Sequence, residues 1–547
     1  MSSSARTVIE RITITLVIGS LCACRLGGPP ATQIAKMTEP PAEATRIVSP
    51  TRDQPSLEPT VAPAGEPTQE EDAQQDEEGE STACDVRRGD LYRAGLIEPA
   101  HLVLEDLRGA TVYEIDLQIA DDLLTIEGRQ RLCYTNREDE PLDEIYFRLF
   151  PNILGGATTV SDVRVDSRDV QPSYELAESA MRVPVGTGLQ PGDSAVVEMD
   201  FEVEVATEME GSYGLFGLFD GTLSLHEVYP VIPVYDDEGW NVELPPPSGD
   251  ITYYDVSFYR VQVRTPADLV VVASGVEVAR EEGTEDQTLT FAAGPARGFY
   301  LAASREYTSV TESTGETTIN SYALVGQEEA AGMALEFAVR ALTSFGERFG
   351  AYPYTEFDVV STPMMALGME YPGIVAVTRQ VYSLDDEVRG VSAPIMMEGT
   401  VGHEVAHQWF YNLVGNDQID EPWLDEALAQ YLTGLYYLDR YGERGYEGWR
   451  GSWLDRWERV DRAAIPIGLP VAEYETGAYG AVVYGRGPLF IEALAKEMEP
   501  ETFEAFLRDY VETHAWDIGT GEAFKGLAEK HCQCDLTPLF REWVYPE

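Results

Sequence analysis

Positive charge is scarce in this sequence. Lysine and arginine together number 38 against 95 aspartates and glutamates, so the formal net charge is -57. A surface of this sign repels the phosphates of nucleic acids, which argues against a nucleic-acid partner. The imbalance does not by itself establish a cationic substrate. With 547 residues, 44% of them hydrophobic, the chain is long enough for two folded domains and a tail.

Long apolar runs are lacking as well. The apolar stretch near the N-terminus, Ile12 to Cys22, is shorter than the roughly 20 residues that a membrane-spanning helix needs. It follows two arginines and ends in Leu21-Cys22-Ala23-Cys24, which resembles a bacterial lipoprotein signal. We therefore expect residues 1–24 to direct export, with lipid attachment at Cys24 on the outer face of the bacterial membrane. An ordinary signal peptide and an uncleaved anchor are the alternatives.

Aromatic residues are absent from residues 25–83, which are rich in Pro, Thr, Ala, Gln and Glu. This composition cannot form a core and predicts a disordered tether. Cysteine is sparse too: Cys84, Cys133, Cys532 and Cys534 remain after the signal. In an exported protein they can form disulfides, and Cys84 could join the end of the tether to the body, but their connectivity stays open.

Histidine occurs only six times, yet two of the six lie four residues apart around a glutamate, in His403-Glu404-Val405-Ala406-His407. On a helix this spacing brings both imidazoles to one face, one turn apart. Glu426 follows His407 after eighteen intervening residues. Three ligands (His403, His407, Glu426) would leave one tetrahedral position open, as in catalytic zinc sites. A chance match on an exposed acidic helix is the alternative, and the scarcity of histidine argues against it.

Further blocks of sequence surround this motif. They are Val401 to Phe410, Asn412 to Val414, Trp423 to Ala427 with Tyr431, Phe349 to Tyr354, Gly368 to Gly373, and Tyr484 to Gly487. In order and approximate spacing they resemble the aminopeptidase N-like gluzincin family of zinc metallopeptidases. The resemblance covers about residues 345 to 490 and implies one Zn²⁺ per chain and a peptide substrate.

The resemblance also implies catalytic roles. Glu404 would be the general base acting on the zinc-bound water, and it would later return the proton to the leaving amine. Tyr484 matches the tyrosine that donates a hydrogen bond to the oxyanion of the tetrahedral intermediate. A buried core aromatic is the alternative for Tyr484, and Tyr479 is a weaker candidate for lining the site.

Substrate binding is implied for Gly368, Met369 and Glu370. Glu370 matches the glutamate that holds the free α-amino group of the substrate. The chain departs from the family's Gly-x-Met-Glu-Asn because Leu367 replaces the first glycine and Tyr371 the asparagine. The family's second amine-holding side chain, from the N-terminal domain, has no clear match; Glu227 and Asp220 are only nearby carboxylates.

The hydrophobic pattern divides the body of the chain in two. From 84 to 310 it alternates with period two, as at Tyr113, Ile115, Leu117 and Ile119, which predicts antiparallel strands. From 311 to 547 helical stripes dominate, beginning with Leu335 to Phe349. The resemblance implies an N-terminal β-sandwich or saddle, then a thermolysin-like, mainly helical zinc peptidase domain without a C-terminal helical cap.

The function predicted from the sequence is therefore a zinc metallopeptidase, most simply an aminopeptidase outside the cell. Two alternatives remain within the enzyme class, an endopeptidase or another zinc hydrolase of the same fold. Binding of the substrate amine by Glu370 would distinguish an aminopeptidase from both. A non-catalytic cell-surface binding protein is the alternative from another class, and the intact set of predicted catalytic residues argues against it. The oligomeric state is not predicted.

Overall fold

The computed structural model describes residues 90–209, 212–246, 248–475 and 477–545. The predicted signal (1–24), the predicted tether (25–83), Cys24 and Cys84 lie outside these ranges. Within them, no helix has the length and apolar character needed to cross a bilayer. Cys532 and Cys534 form a disulfide with each other.

The N-terminal part is built from strands, as the period-two pattern predicted. After the short helices α1 (Asp90–Arg93) and α2 (Val103–Asp106), the strands are β1 (Thr111–Ile119), β2 (Thr125–Thr135), β3 (Leu142–Arg148), β4 (Ala157–Val165), β5 (Arg168–Asp169), β6 (Ser173–Glu175), β7 (Ala180–Leu189) and β8 (Ser194–Glu204). They continue as β9 (Phe216–Phe219), β10 (Thr222–Leu225), β11 (Tyr235–Asp236), β12 (Gly239–Trp240), β13 (Ser257–Pro266), β14 (Val270–Ala273), β15 (Val276–Glu282), β16 (Asp286–Ala296) and β17 (Leu301–Ser304).

Sheets of eight, four and three strands enclose the first core. The eight-stranded sheet has the order β15-β16-β13-β1-β2-β8-β4-β5, the four-stranded sheet β14-β17-β10-β9, and the three-stranded sheet β3-β7-β6. In the eight-stranded sheet all pairs are antiparallel except β1 and β13, which run parallel. This exception is possible because the long intervening chain can cross over before β13 begins. Ile115, Phe147 and Leu223, from the three sheets, are fully buried in the shared core.

The C-terminal part combines one sheet with a set of helices. Its strands are β18 (Tyr307–Thr314), β19 (Thr317–Leu324), β20 (Glu356–Thr362), β21 (Gly368–Tyr371), β22 (Ile374–Thr378), β23 (Glu387–Val388) and β24 (Val391–Ser392). The helices are α3 (Glu328–Phe349), α4 (Ala393–Ala406), α5 (Trp423–Tyr441), α6 (Glu443–Trp457), α7 (Tyr479–Ala481), α8 (Gly487–Met498), α9 (Pro500–His514), α10 (Gly521–Cys532) and α11 (Thr537–Trp543).

The five-stranded sheet of this part has the order β18-β19-β20-β22-β21. Among the residues that the structure describes, β21 pairs with β22 alone, so the other side of β21 is an edge of this sheet. The boundary predicted between residues 310 and 311 falls inside β18, which pairs with β19, so the chain changes sheets between β17 and β18.

Helix α3 is the amphipathic helix that the stripe from Leu335 to Phe349 predicted. Its apolar face, including Ala338, Leu342 and Phe345, is buried against the sheet and α4. The helix ends at Gly350, which adopts a φ of 109° that other residues rarely take. Helix α4 is buried almost along its whole length, so its side chains have fixed surroundings.

A single buried arginine joins the two parts of the molecule. The Arg297 guanidinium donates to the carbonyl oxygens of Tyr254 (2.8 Å), Asn412 (3.2 Å) and Asp517 (2.7 Å). Gly415 allows this approach, since a Cβ there would lie 2.3 Å from the guanidinium carbon. The N-terminal sheets are thereby held against the loop that follows α4.

Candidate metal centre

The two histidines of the motif lie at the end of α4. His403 is in the last turn of this helix, and His407 is its C-cap residue, with φ −65° and ψ −13°. Because His407 keeps right-handed helical geometry, its ring still lies one turn beyond that of His403. The ring centroids are 4.8 Å apart. The structure therefore brings the imidazoles together as the four-residue spacing predicted.

Glu426 completes a triangle of donor atoms. It lies in the first turn of α5, which packs against α4. Glu426 Oε2 is 3.1 Å from His403 Nε2 and 3.6 Å from His407 Nε2, and the two Nε2 atoms are 3.3 Å apart. Ligand atoms around a tetrahedral zinc with bonds of about 2.0–2.1 Å are roughly 3.3–3.4 Å apart. The three predicted ligands therefore fit one tetrahedral ion and leave one position for a reactant.

The outer nitrogens of both histidines face polar groups. His407 Nδ1 lies 3.1 Å from the carbonyl oxygen of Phe410, and donation to this oxygen leaves the Nε2 lone pair facing the donor triangle. His403 Nδ1 lies 3.4 Å from the side-chain amide of Gln430, one turn beyond Glu426 on α5. These partners orient the rings toward the shared ion position.

Glu404 is buried beside the donor triangle and is not one of its corners. Its carboxylate lies over Gly368, where a Cβ would come within 2.1 Å of Glu404 Oε1. Gly368, predicted as a substrate-binding residue, thus provides the space that the Glu404 side chain occupies. Burial, with Glu370 nearby, raises the pKa of Glu404 well above its usual value, which suits a group that must take up a proton.

Tyr484 lies in a π-helical segment, Val482–Arg486, and its hydroxyl donates to Glu426 Oε1. Segments of this kind are frequent at functional sites. The ring centroid of Tyr484 is 6.0 Å from that of His403 and 5.8 Å from that of Tyr479. Burial raises the pKa of Tyr484 well above 10, so its hydroxyl keeps its proton and remains a donor. Both predicted tyrosines therefore line the site.

Glu370 lies on the edge strand β21, two residues after Gly368, and it is buried. Its Oε1 accepts a hydrogen bond of 3.0 Å from Gln418 Nε2, which also donates to Asp425 Oδ2 at 2.8 Å. Thr252, from the N-terminal part, donates to Gln418 Oε1 at 2.6 Å. Gln418 was not identified from the sequence, and it holds two carboxylates in place beside the donor triangle.

The N-terminal part contributes a carboxylate that the sequence did not reveal. Asp250 lies against Glu426 and close to Glu370 and Asp425; burial and these neighbours raise the pKa of Asp250 well above its usual value. The residue before it, Gly249, packs on Tyr479 and Val471 with φ +84°. No motif marks Asp250, because its position depends on how a loop before β13 docks onto the other half of the molecule.

The two carboxylates considered from the sequence lie elsewhere. Asp220 is exposed in the turn between β9 and β10. Glu227 is buried against Gly298 and Tyr229, and burial raises the pKa of Glu227 to about 8. Neither contributes a donor atom to the groups that could hold a metal among the described residues.

Tyr371, which replaces the family's asparagine, is bonded to the N-terminal part. Its hydroxyl lies 3.1 Å from His226 Nδ1, and its ring stacks on that of Tyr300 with centroids 3.9 Å apart. Burial lowers the pKa of His226 to about 3, so this histidine is neutral at ordinary pH. The departure from the motif is therefore matched by a partner that fixes the residue after Glu370.

The site has an excess of buried negative charge. Glu370, Glu404, Asp425 and Glu426 surround two histidines. Although burial opposes it, the interactions with His403 and His407 hold the pKa of Glu426 well below its usual value, whereas burial and Glu426 raise the pKa of Asp425 to about 7. A bound divalent cation would offset this charge, and nitrogen and carboxylate donors are those that zinc takes.

The fold and the donor set define the class: a β-rich domain followed by a helical domain that carries a gluzincin-type metal site. Residues 333–543 match the model of the Peptidase family M1 domain. Aminopeptidase 2 of Candida albicans is 23% identical over 453 residues, which cover 79% of this chain and 46% of the relative. Probable aminopeptidase 2 of Sulfurisphaera tokodaii is 23% identical over 445 residues, covering 79% and 53%.

Among solved structures, the M1 zinc metallopeptidase from Deinococcus radiodurans superposes with a TM-score of 0.58 at 20% identity, covering 80% of this chain and 95% of that one. Residues 333–543 thus carry the likeness to the M1 peptidases that the predicted resemblance to the aminopeptidase N-like gluzincins implied, and the predicted order of a β domain followed by a mainly helical peptidase domain is confirmed. The chain spans about half the length of the curated relatives that it matches.

Proposed function

We propose that this chain is a zinc-dependent aminopeptidase that releases N-terminal residues from peptides. The observation that carries the proposal is the position of Glu370. Its carboxylate lies beside the metal donor triangle, two residues along β21 from the glycine on which Glu404 rests. A peptide amine held by Glu370 would therefore place the first peptide bond at Glu404.

The chain's own residues can perform each step of the hydrolysis. When bound, zinc supplies a Lewis acid that polarises the carbonyl and lowers the pKa of water. Glu404 takes the proton from the attacking water and later delivers it to the nitrogen of the departing amine, so one carboxylate serves both half-reactions. Tyr484 lies 58 positions after Glu426 in the chain and donates a hydrogen bond to it. As negative charge develops on the oxyanion, the Tyr484 hydroxyl turns from Glu426 and donates to the oxyanion instead.

Recognition of a charged amine distinguishes an aminopeptidase from an endopeptidase. Glu370 and Asp250 approach the same end of the cleft from the two halves of the molecule. Asp250 thus supplies the second amine-holding carboxylate for which no motif is present. One related structure from Deinococcus radiodurans was solved with the substrate Tyr-Ser-Ala, and the curated relatives are named aminopeptidases.

A blocked N-terminus tests this function. We expect a short peptide with a free N-terminus to be cleaved at least about 100-fold more efficiently, in kcat/KM, than the same peptide acetylated, because acetylation removes the charge that the buried carboxylates bind. Glu370→Gln should lower kcat/KM for the free peptide by a similar factor. Product analysis by mass spectrometry with initial rates measures both effects.

Glu227→Gln is the matched control for this experiment. Glu227 is also a buried glutamate near the domain boundary, but burial raises its pKa to about 8, so the neutral replacement changes little at pH 7. The ratio of free to acetylated cleavage should stay as in the unaltered protein. Equal cleavage of the two peptides by the unaltered protein would establish an endopeptidase instead.

We further propose that the protein is exported and anchored by lipid at Cys24, as the N-terminal sequence indicates. The long polar segment that follows would then let the folded part sample space around its anchor. In a bacterial host, the unaltered protein should sediment with membranes, and Cys24→Ser should appear in the soluble fraction. Membrane-bound protein in both cases would favour an uncleaved anchor.

A further inference from the structure

Tyr484 lies on a helical segment whose geometry differs from that of the helices on either side. Helix α7, the π-helical segment Val482–Arg486 and α8 follow one another without a break. The hydrogen bonds of a π-helix span one residue more than those of an α-helix, and such segments are rare. If this segment relaxed to an α-helix, side chains on it would turn about the axis by up to about 100°, the angle between successive residues. The position of the Tyr484 hydroxyl therefore depends on contacts that hold the segment.

Glycines on both sides of Arg486 allow two of these contacts. A Cβ on Gly485 would lie 2.8 Å from the backbone nitrogen of Trp457, so the glycine lets the end of α6 come this close. A Cβ on Gly487 would lie 2.7 Å from the Cβ of Ala427, the residue that follows Glu426 on α5. The segment is thus packed tightly against α6 and against the helix that carries Glu426.

Arg486, two residues after Tyr484, makes the third contact, and it is only 2% exposed. Its Nη1 donates to the carbonyl oxygens of Ile465 at 2.8 Å and Trp543 at 2.6 Å, and its Nη2 donates to that of Glu542 at 2.7 Å. The guanidinium carbon lies 4.6 Å from the centroid of the Trp543 ring, over its face. Burial lowers the pKa of Arg486 to about 10, so the side chain is still protonated at pH 7. A buried cation thus joins the π-helical segment to the end of α11.

The groups that accept from Arg486 are themselves fixed in the body of the domain. The carbonyl oxygen of Trp543 also accepts from the backbone nitrogen of Ile467 at 2.9 Å, and that of Val544 accepts from Gly468 at 3.0 Å. Val544 is 1% exposed, and Phe540 on α11 is fully buried. The end of α11 and residues 465–468 therefore form a rigid support, and Arg486 transmits the position of this support to the segment that carries Tyr484.

We propose that Arg486 is a positioning residue for the reaction: by tying the π-helical segment to the end of α11, it holds the Tyr484 hydroxyl where the oxyanion forms. The inference rests on the role of Tyr484 proposed above. A misplacement of about 1 Å can lower a rate about a hundredfold, so a donor to the oxyanion needs such a support. Because Tyr484 donates to the oxyanion only as its charge develops, Arg486 affects the transition state and leaves binding of the substrate unchanged.

The test is a double-mutant cycle on the zinc-loaded enzyme, with trialanine as the substrate. Arg486→Gln removes the cation, and we expect kcat to fall about tenfold or more while KM stays within about twofold. Tyr484→Phe should lower kcat by about 10²–10³-fold, the usual cost of losing one donor to the oxyanion. In the Tyr484→Phe background, Arg486→Gln should change kcat by less than about twofold, because the hydroxyl that it positions is gone. Initial rates of the four proteins measure these effects.

Trp543→Leu is the second variant, and it covers the case in which Arg486→Gln does not fold. It removes the ring beneath the guanidinium but leaves the three carbonyl oxygens in the main chain. Because only part of the support is lost, kcat should fall about threefold, and this loss should again disappear in the Tyr484→Phe background. A loss of the same size in both backgrounds would contradict the proposal.

Arg348→Gln is the matched control, because Arg348 also joins separate helices. It donates to Asp439 on α5 at 2.6 Å and to Glu504 on α9 at 3.1 Å. Its replacement should lower the melting temperature and preserve kcat.

The proposal is overturned if Arg486→Gln leaves kcat unchanged. It is also overturned if Arg486→Gln lowers kcat by the same factor with and without the Tyr484 hydroxyl, since that result indicates a general structural effect. Full kcat in Tyr484→Phe alone would remove the role of Tyr484, and the inference with it. Failure of the aminopeptidase function would appear separately, as cleavage of the acetylated peptide.

Discussion

Replacing Glu404 with glutamine should lower kcat by about a thousandfold or more while the metal content of the purified protein stays unchanged. General acid and base catalysis contributes about 10²–10⁴-fold, and Glu404 serves as both base and acid. Glutamine keeps the shape that fits over Gly368, and none of the three donor atoms is altered. Single-turnover rates and metal analysis by mass spectrometry on the same sample separate the two quantities.

Glu398→Gln provides the comparison for this variant. Glu398 is a buried glutamate on the same helix, and it pairs with Arg440, Tyr436 and Tyr441 away from the donor triangle. Its replacement should lower the free energy of unfolding, because Arg440 and the two tyrosine hydroxyls lose their carboxylate partner. The kcat of the folded enzyme should be preserved. Unchanged turnover in Glu404→Gln would remove Glu404 from the reaction and revive the alternative of a non-catalytic binding protein.

The approach of His403 and His407 to each other was predictable because helix geometry fixes it. Two histidines one turn apart remain together in any helix, and α4 ends only at Ala406. Glu426 lies on a different helix, and its assignment depended on the family spacing. The period-two pattern likewise predicted β1, where Tyr113, Ile115 and Leu117 are buried on one face.

Asp250 and the Gln418 network could not be predicted in this way. Asp250 reaches the site because a loop of the N-terminal part docks on Tyr479 and Gln418, through Gly249 and Thr252. This docking depends on contacts between residues far apart in the chain, such as the carbonyl oxygens that Arg297 binds. No local pattern records such contacts, so a polar residue in this loop looks like any other surface residue.

The departure at Tyr371 shows a similar limit. In the sequence, Tyr371 is visible only as a departure from the family's motif next to Glu370. In the structure, Tyr371 bonds to His226 and stacks on Tyr300, both from the N-terminal part. The substitution was visible in the sequence, but the residues that accommodate it lie in separate segments, His226 just after β10 and Tyr300 just before β17, and became evident only from the fold.

Replacing Glu426 with alanine should release the metal. Glu426 supplies one corner of the donor triangle and accepts the hydrogen bond of Tyr484. Loss of groups that merely orient ligands costs 10–100-fold in affinity, so loss of a ligand should cost at least about 100-fold. Dialysis against a chelator followed by metal analysis measures the loss. The gain in melting temperature on adding zinc, which follows the ratio of zinc concentration to Kd, should shrink correspondingly.

Asp425→Asn identifies which acidic residue holds the ion. Glu370, His407 and Asp425 also bring donor atoms within 4.8 Å of one another, so a second arrangement of ligands is geometrically possible. Asp425, however, accepts a hydrogen bond from Gln418, and Glu370 accepts one from the same amide, so both carboxylates already have a hydrogen-bond donor beside the site. We therefore expect Asp425→Asn to retain its metal and Glu426→Ala to lose it. The reverse result would move the ion to the Glu370 side of His407, where it would compete with the substrate amine and contradict both the mechanism and the specificity proposed above.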